Sequence, residues 1–280
     1  MVLDAATLDK IDKALQDWRQ GDCVLGEHWL LFRLDVGAPI TEEARVAAAE
    51  GADAGEAEVR GLMLLTQTCD IVRSCRDRPF VEVCPLVEVD NDKLDEIRKG
   101  RRPNYAYIPG IADNTGLVGD LDRLMTVEKA VVAGWDRVTG CRDDDEVRRL
   151  SLALARKRAR FAFPDDFVVF VKDLQSRLIS KHNKNSDEGR ALRALREIRV
   201  RAAPSWDAEH VQLTFWFIRH EDEPRFEDQT WDTYLASWLA RVRNDGRFHS
   251  INGAIVSLDD ITARDYIESD QLDLDHLSGN

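Results

Sequence analysis

Short segments with strand composition dominate the first half of this chain and constrain its fold more than any other feature. Residues 61–66 form an apolar run, and residues 79–89 alternate apolar and polar side chains around Pro85. Segments 22–36, 104–111 and 115–120 have similar composition. Runs of this length that are rich in apolar and β-branched residues are typical of strands. Five or six short strands predict a small β-barrel.

Helical patterns flank these strands. Leu8, Ile11, Leu15 and Trp18 recur at near-helical spacing, which predicts an amphipathic opening helix that ends before Gly21. The segment 42–58 is rich in Ala, Glu and Gly and is interpreted as a long loop or weak helix. Residues 127–132 are predicted to begin or lead into a further helix.

The pattern changes at about Trp135, so we predict two domains, 1–135 and 136–280. In the second domain, helices are predicted from 143 to 160, from Pro164 onwards, at 190–196 and at 231–242. Strands are predicted at 198–202 and 211–219, and a tail at 254–277 closes with an acidic segment at 270–275. The whole chain is therefore predicted to be α+β, a small barrel domain followed by a mixed helix and strand domain.

Charge is unevenly distributed along the sequence. The chain carries a net charge of -13, whereas residues 137–201 alone are +7 and the remainder is -20. A basic stretch in an acidic protein is either a nucleic-acid surface or a segment that docks on the acidic part. Under the first interpretation the candidate nucleic-acid-binding residues are Arg156, Arg158, Lys181 and Lys184, with a contribution from Arg123.

Cysteine and histidine positions argue against a metal site. The five cysteines lack CxxC spacing, and the six histidines form no HxxxH pair, so no metal and no cofactor is expected. No apolar run approaches the length of a membrane helix, and the N-terminal residues are acidic rather than typical of a secretory signal. We therefore expect a cytoplasmic protein without a membrane partner.

Three stretches of the first half resemble the MazF/PemK family of toxin endoribonucleases. They are Gln20-Gly21-Asp22-Cys23-Val24, Val59-Arg60-Gly61-Leu62-Met63-Leu64-Leu65-Thr66, and Leu121-Asp122-Arg123-Leu124-Met125-Thr126-Val127-Glu128-Lys129. Their order and spacing agree with the family. The resemblance implies an SH3-like barrel, a toxin-antitoxin or phage-defence context, and a homodimer, as is usual for family members.

The resemblance also implies roles for individual residues. Arg60 matches the family's catalytic arginine, which stabilises the charge that develops on the attacked phosphate. The family's catalytic threonine falls on Val87, which has no hydroxyl, so Thr66 or Thr68 would have to replace it. Gly61 stands where the family has proline.

The third stretch departs from the family in a similar way. The arginine expected there falls on Met125, although Arg123 lies two positions away and could face the same side of a strand.

Three hypotheses for function follow. The first is a binding or regulatory protein with RNA or a protein partner at the barrel groove, edged by Arg60 and Arg123. The second is a metal-independent endoribonuclease that uses Arg60 with Thr66 or Thr68. The third is a protein-interaction adaptor that uses the basic second domain.

The polar residues that follow the apolar run 61–66 leave a further alternative open. They either present Cys69 and Asp70 to a ligand, or form a turn in which Asp70 bonds its own backbone.

Overall fold

The computed structural model describes residues 4–98, 102–159, 161–220, 226, 229–242 and 246–272. These residues form twelve helices and two sheets, so the predicted α+β class is confirmed. The chain divides into two compact units, residues 1–159 and 160–280. The division lies later than the predicted boundary at 135, because the helix at 144–158 buries Leu150 in the core of the first unit.

The first unit contains seven helices and six strands among the described residues. The helices are α1 (Ala5–Ala14), α2 (Glu42–Ala49), α3 (Thr68–Ile71), α4 (Asn91–Arg98), α5 (Pro109–Thr115), α6 (Lys129–Val132) and α7 (Asp144–Arg158). The strands are β1 (Cys23–Arg33), β2 (Ala54–Leu64), β3 (Phe80–Glu88), β4 (Tyr105–Ala106), β5 (Leu117–Asp120) and β6 (Met125–Glu128). They pair in the order β1-β2-β3-β5-β4, and β6 also pairs with β3.

This sheet curls so that β6 approaches β1. The backbone N–H of Leu31 lies 3.2 Å from the Sδ atom of Met125, although two strands separate β1 from β6 in the sheet. Among the described residues no backbone hydrogen bond joins β1 to β6. The curvature agrees with the predicted barrel, but the ladder that would close a barrel is absent from this part of the chain.

Both faces of the sheet are covered in its central part. Leu62 and Leu64 of β2 pack with Leu15 and Trp18 in one core, and Met63 packs with residues of α5 and α7 in a second core. The central sheet is therefore the middle layer of a three-layer unit. The β1–β2 hairpin extends beyond it, because β3 pairs with only residues 62–64 of β2.

Two predictions for the first half were wrong in detail. Strand β2 begins at Ala54 inside the predicted loop or weak helix, since Ala57 and Val59 alternate with exposed charged residues and are buried. The predicted strand 104–111 is mostly absent. Pro109 occupies the first turn of α5, which ends at Gly116 in the left-handed conformation, so the chain turns into a helix there.

The second unit places helices against a four-stranded sheet. Its helices are α8 (Asp165–Phe170), α9 (Lys172–His182), α10 (Asp187–Ala194), α11 (Trp231–Leu239) and α12 (Ala263–Ile267). Its strands are β7 (Leu195–Ala203), β8 (Val211–Arg219), β9 (Phe248–Val256) and β10 (Asp270–Gln271), in the order β10-β7-β8-β9. Strands β7 and β8 pair antiparallel, while β8 and β9 pair parallel through a crossover that contains α11.

Aromatic side chains fill the core of the second unit. Phe215 and Phe217 of β8 and Trp238 of α11 are fully buried. The predicted helix at 190–196 instead ends at Ala194, where β7 begins. Strands β9 and β10 were not predicted, and the remainder of the predicted tail, from 273 onwards, lies outside the described residues. No helix in the described ranges is both long and apolar enough to cross a bilayer.

Candidate functional site

Arg60 points outward from β2 and is paired with a carboxylate. Its Nη1 atom lies 3.2 Å from the Oε2 atom of Glu88 on β3, and the two side chains are 71% and 64% exposed. The other predicted edge residue, Arg123, lies near the point where β3 pairs with β6 at Val83. Glu88 and Val83 are five positions apart on β3, or roughly 17 Å at the usual rise per residue. Arg60 and Arg123 are therefore not adjacent.

The two predicted catalytic threonines use their hydroxyl groups within the fold. The Oγ1 atom of Thr66 accepts a hydrogen bond from the backbone N–H of Glu82 at 2.7 Å, and that of Thr68 accepts one from Gln20 at 3.1 Å. Thr66 is six residues beyond Arg60, on the order of 20 Å along an extended chain. The structure does not bring either threonine together with Arg60.

Both threonines belong to a segment that we call the anchored segment, residues 66–75. Lys129 is fully buried beneath it, and its Nζ atom donates to the carbonyl oxygens of Asp70 at 2.8 Å and Arg73 at 2.6 Å. The carboxylate of Asp12 accepts the backbone N–H of Cys75 at 2.7 Å. Side chains from two other parts of the unit, α6 and α1, therefore satisfy backbone groups of this segment.

The two side chains that hold the anchored segment, Lys129 and Asp12, have shifted pKa values. Burial lowers the pKa of the Lys129 ammonium group, as expected for a cation removed from water. Burial alone would raise the pKa of Asp12, but hydrogen bonds from Cys75 and Ser74 outweigh it and lower that pKa. Within the segment, Asp70 forms an ion pair with Arg73 at 3.4 Å, while Cys69 remains exposed.

A second group of charged side chains surrounds the turn between β5 and β6. Each basic residue of this group contacts one carboxylate: Arg123 lies 2.8 Å from Asp120, Arg158 lies 2.8 Å from Glu82, and Lys157 contacts Asp122. We call these six residues the turn cluster. The structure thus brings Arg123 and Arg158 into one neighbourhood, as the nucleic-acid hypothesis requires.

The turn cluster is electrically balanced. Its three basic side chains meet three carboxylates, so its formal charge is zero. The nearby thiol of Cys84 has a raised pKa, first because of its burial and then because of the negative charge of Asp120. Arg156, on the same helix, is half-buried. The basic end of α7 therefore docks on acidic residues of its own unit, as the second interpretation of the charge pattern predicted.

The remaining basic candidates lie in the second unit. Lys181 is in the last turn of α9, and Lys184 follows in the loop before α10. Arg193 donates to the carbonyl oxygens of His182 at 2.7 Å and Lys184 at 3.1 Å, which fixes the loop backbone. Lys184 is exposed and Lys181 is half-buried. These lysines belong to a different compact unit from Arg123 and Arg158.

Sequence reasoning missed a surface on the β1–β2 hairpin. Trp29 stands directly opposite Glu58, and Leu31 directly opposite Glu56, so the four side chains share one side of the hairpin. Trp29 is 51% exposed and Leu31 is 57% exposed. We call these four residues the ribbon face. The alternation of Ala57 and Val59 with the two glutamates is the sequence signal that could have revealed it.

The charges of the ribbon face have no counter-ions in the part of the chain that the structure describes. No ion pair or hydrogen bond from a described residue reaches the carboxylates of Glu56 or Glu58. The neighbouring basic residues are already paired, Arg60 with Glu88 and Arg33 with Asp53 at 2.6 Å. The surface therefore combines two large exposed apolar side chains with two unneutralised negative charges.

Comparisons with known proteins give no match: no family model, no curated protein and no solved structure is similar to this chain. Within the described ranges, no group of three or more His, Cys, Asp or Glu side chains is placed to hold a metal ion.

Proposed function

We propose that this protein is a binding protein and that the ribbon face takes a polypeptide segment in which apolar residues alternate with lysine or arginine. The observation that carries the proposal is the pairing of Trp29 and Leu31 with Glu58 and Glu56 across two strands. Large exposed apolar side chains next to one another are typical of interaction sites, and tryptophan is enriched among the residues that contribute most to binding.

Charge specifies the partner. A ligand that covered the ribbon face would remove Glu56 and Glu58 from water, and a buried carboxylate without a partner is costly. Basic residues in the ligand would neutralise both groups. An acidic ligand, including the phosphate backbone of RNA, would be repelled.

Strand β1 offers a way to align such a ligand. It pairs with β2 on one side. At its other edge Cys23 pairs with Val138, and beyond Cys23 the one hydrogen bond from a described residue is that of the Leu31 N–H to the Sδ atom of Met125, a weak acceptor. An extended peptide can add to an exposed strand edge through main-chain hydrogen bonds, with alternate side chains facing the same side. That periodicity matches the spacing of Trp29 and Leu31.

The endoribonuclease hypothesis receives less support from the geometry. Arg60 is separated from Thr66 and Thr68, whose hydroxyl oxygens already accept backbone N–H groups. The turn cluster, which contains two of the predicted nucleic-acid contacts, has no net charge. A MazF/PemK-like origin, with its toxin-antitoxin or phage-defence context, remains a proposal that rests on the sequence resemblance.

The test uses fluorescein-labelled peptides of alternating valine and lysine, and of alternating valine and glutamate, titrated with the full chain and read by fluorescence anisotropy. We expect binding of the lysine peptide only. Replacing Glu56 and Glu58 with lysine should reverse this preference. Glu50→Lys is the matched control, because Glu50 is also exposed but lies at the end of α2.

The apolar part of the surface is tested with Trp29→Ser and Leu31→Ser, which should each weaken binding of the lysine peptide about tenfold or more. Equal binding of both peptides, or binding unchanged in these variants, would refute the proposal. A parallel titration uses mixed-sequence RNA in EDTA with wild type and Arg60→Ala. RNA binding or cleavage that Arg60→Ala abolishes would favour the RNA hypotheses instead.

A further inference from the structure

A cavity of about 550 Å³ opens on the second unit beside α8 and α9. Its volume falls within the range of about 300–1,000 Å³ that is usual for small-molecule sites. Phe170 and Phe248 form an apolar wall, with ring centroids 4.6 Å apart. Asp166, Phe170 and Asp173 lie on the same side of two consecutive helices and all line the cavity.

One pair of charges in the lining is already satisfied. Arg247 binds Asp166 in a bidentate manner, with Nε to Oδ2 at 2.6 Å and Nη2 to Oδ1 at 2.9 Å. Its Nη1 atom donates to the carbonyl oxygens of Trp206 and Ala208. The guanidinium group also lies over the ring of Phe248. Arg247 therefore forms part of the wall and has little capacity to bind a ligand.

The other pair of charges is not satisfied. Arg241 lines the cavity, and no ion pair or hydrogen bond from a described residue reaches its guanidinium group. Asp173 also lines the cavity, and no ion pair or hydrogen bond from a described residue reaches its carboxylate. A ligand that carries groups of opposite charge would give each of these side chains a charge-assisted partner that no described residue supplies. As far as the described residues go, the cavity thus presents one cation and one anion without a partner, together with an apolar wall.

We propose that this cavity binds an α-amino acid with an apolar side chain. Arg241 would hold its carboxylate, Asp173 its ammonium group, and the two phenylalanine rings its side chain. A ligand with a negative charge alone would face the unneutralised Asp173, and one with a positive charge alone would leave Arg241 unsatisfied. A zwitterion satisfies both groups. The inference is independent of the ribbon face, which belongs to the other unit.

Isothermal titration calorimetry on the full chain tests the proposal with phenylalanine, phenethylamine and 3-phenylpropionate. The three probes share a phenyl ring and differ in their charged groups. We expect phenylalanine to bind at least about tenfold more tightly than either analogue, because each analogue lacks one charge-assisted contact. Leucine should bind as well, whereas glutamate and lysine should not.

Two variants test whether Arg241 binds the carboxylate of the ligand and Asp173 its ammonium group. Arg241→Met should weaken phenylalanine binding about tenfold or more without weakening that of phenethylamine, and Asp173→Asn should weaken phenylalanine without weakening 3-phenylpropionate. Asp165→Asn is the matched control, because Asp165 is exposed on α8 and does not line the cavity. Circular dichroism establishes that each variant is folded. The absence of binding by phenylalanine and leucine at millimolar concentration, or equal binding of all three phenyl probes, would overturn the proposal.

Discussion

The anchored segment and the ribbon face lie in the same unit and handle polar groups in opposite ways. In the anchored segment, Lys129 donates to backbone carbonyl oxygens and Asp12 accepts a backbone N–H. The hydroxyl oxygens of Thr66 and Thr68 accept hydrogen bonds from backbone N–H groups elsewhere in the unit. On the ribbon face, by contrast, no described residue neutralises the glutamates, and two large apolar side chains remain in water.

This difference separates residues that maintain the fold from residues that are available to a ligand. Hydroxyl and ammonium groups in a polar loop are common in catalytic sites, but those of the anchored segment are already engaged. An exposed tryptophan beside carboxylates without counter-ions contributes little to the stability of its own unit. Substitutions that disrupt the anchored segment should therefore lower stability, whereas substitutions on the ribbon face should weaken ligand binding and leave stability nearly unchanged.

The largest expected effect on stability is that of Lys129→Met. This change removes the ammonium donor of a fully buried side chain from the carbonyl oxygens of Asp70 and Arg73, so we expect a loss of about 2–4 kcal/mol in the free energy of unfolding. Urea denaturation measures it. The control is Lys13→Met at an exposed position of α1, which should change stability by less than about 0.5 kcal/mol. Equal effects of the two substitutions would contradict the structural role of Lys129.

Gly61 lies where the β1–β2 hairpin joins the rest of the sheet. Its φ angle is 152°, and an added Cβ would lie 2.3 Å from the backbone oxygen of Val24. Gly61→Ala should therefore destabilise the protein by about 2 kcal/mol or more. At Gly51 the φ angle is also positive, at 76°, but a Cβ would meet nothing within 4 Å. Gly51→Ala should lower the free energy of unfolding by about 1 kcal/mol. Thermal unfolding measures both variants, and the difference between their losses gives the cost of the steric contact at Gly61 apart from the cost of the positive φ angle.

Asp12 makes the anchored segment sensitive to acid. Because the pKa of Asp12 is lower in the folded protein than its ordinary value of 3.8, the unfolded state binds more protons than the folded state around and below that pH. The stability that ionised Asp12 provides is therefore present above about pH 3.8 and is lost as the pH falls through the lowered pKa. We expect Asp12→Asn to be less stable than wild type by about 1 kcal/mol at pH 7. Urea titrations from pH 7 to pH 3 should show this gap narrowing. A constant gap would show that the charge of Asp12 is not involved.

The smallest effect on stability is expected at the ribbon face. Trp29→Ser and Leu31→Ser remove side chains that are more than half exposed, so each should change the free energy of unfolding by less than about 0.5 kcal/mol. The same denaturation experiments measure this. A loss of 2 kcal/mol or more would show that these side chains support the unit itself, and the contrast with the anchored segment would disappear.

Much of the fold could be predicted where apolar periodicity is strong. Strand β8 matches its predicted range, 211–219, and α7 begins within the acidic run that predicted it. Strand β2 was predicted only from Gly61 onwards, because small residues such as Ala57 give a weak apolar signal. Strand β9 combines Ser250, Asn252 and Gly253 with its apolar residues, so it gave no strand signal at all.

The candidate sites were less accessible to sequence reasoning. Arg123 and Arg158 could be proposed as contacts because they are basic, but their pairing with Asp120 and Glu82 depends on tertiary structure. The ribbon face depends on the register that places Trp29 opposite Glu58. The sequence contains each residue, whereas only the fold determines which side chains neutralise one another.

The contact between Leu31 and Met125 has a consequence for local dynamics. Since a thioether, rather than a ladder of backbone hydrogen bonds, links β1 to β6, the hairpin can separate from β6 without breaking its pairing with the central strands. Amide hydrogens along the outer edge of β1 should therefore exchange with deuterated water much faster than those between β2 and β3. An extended ligand would find this edge open in the folded protein.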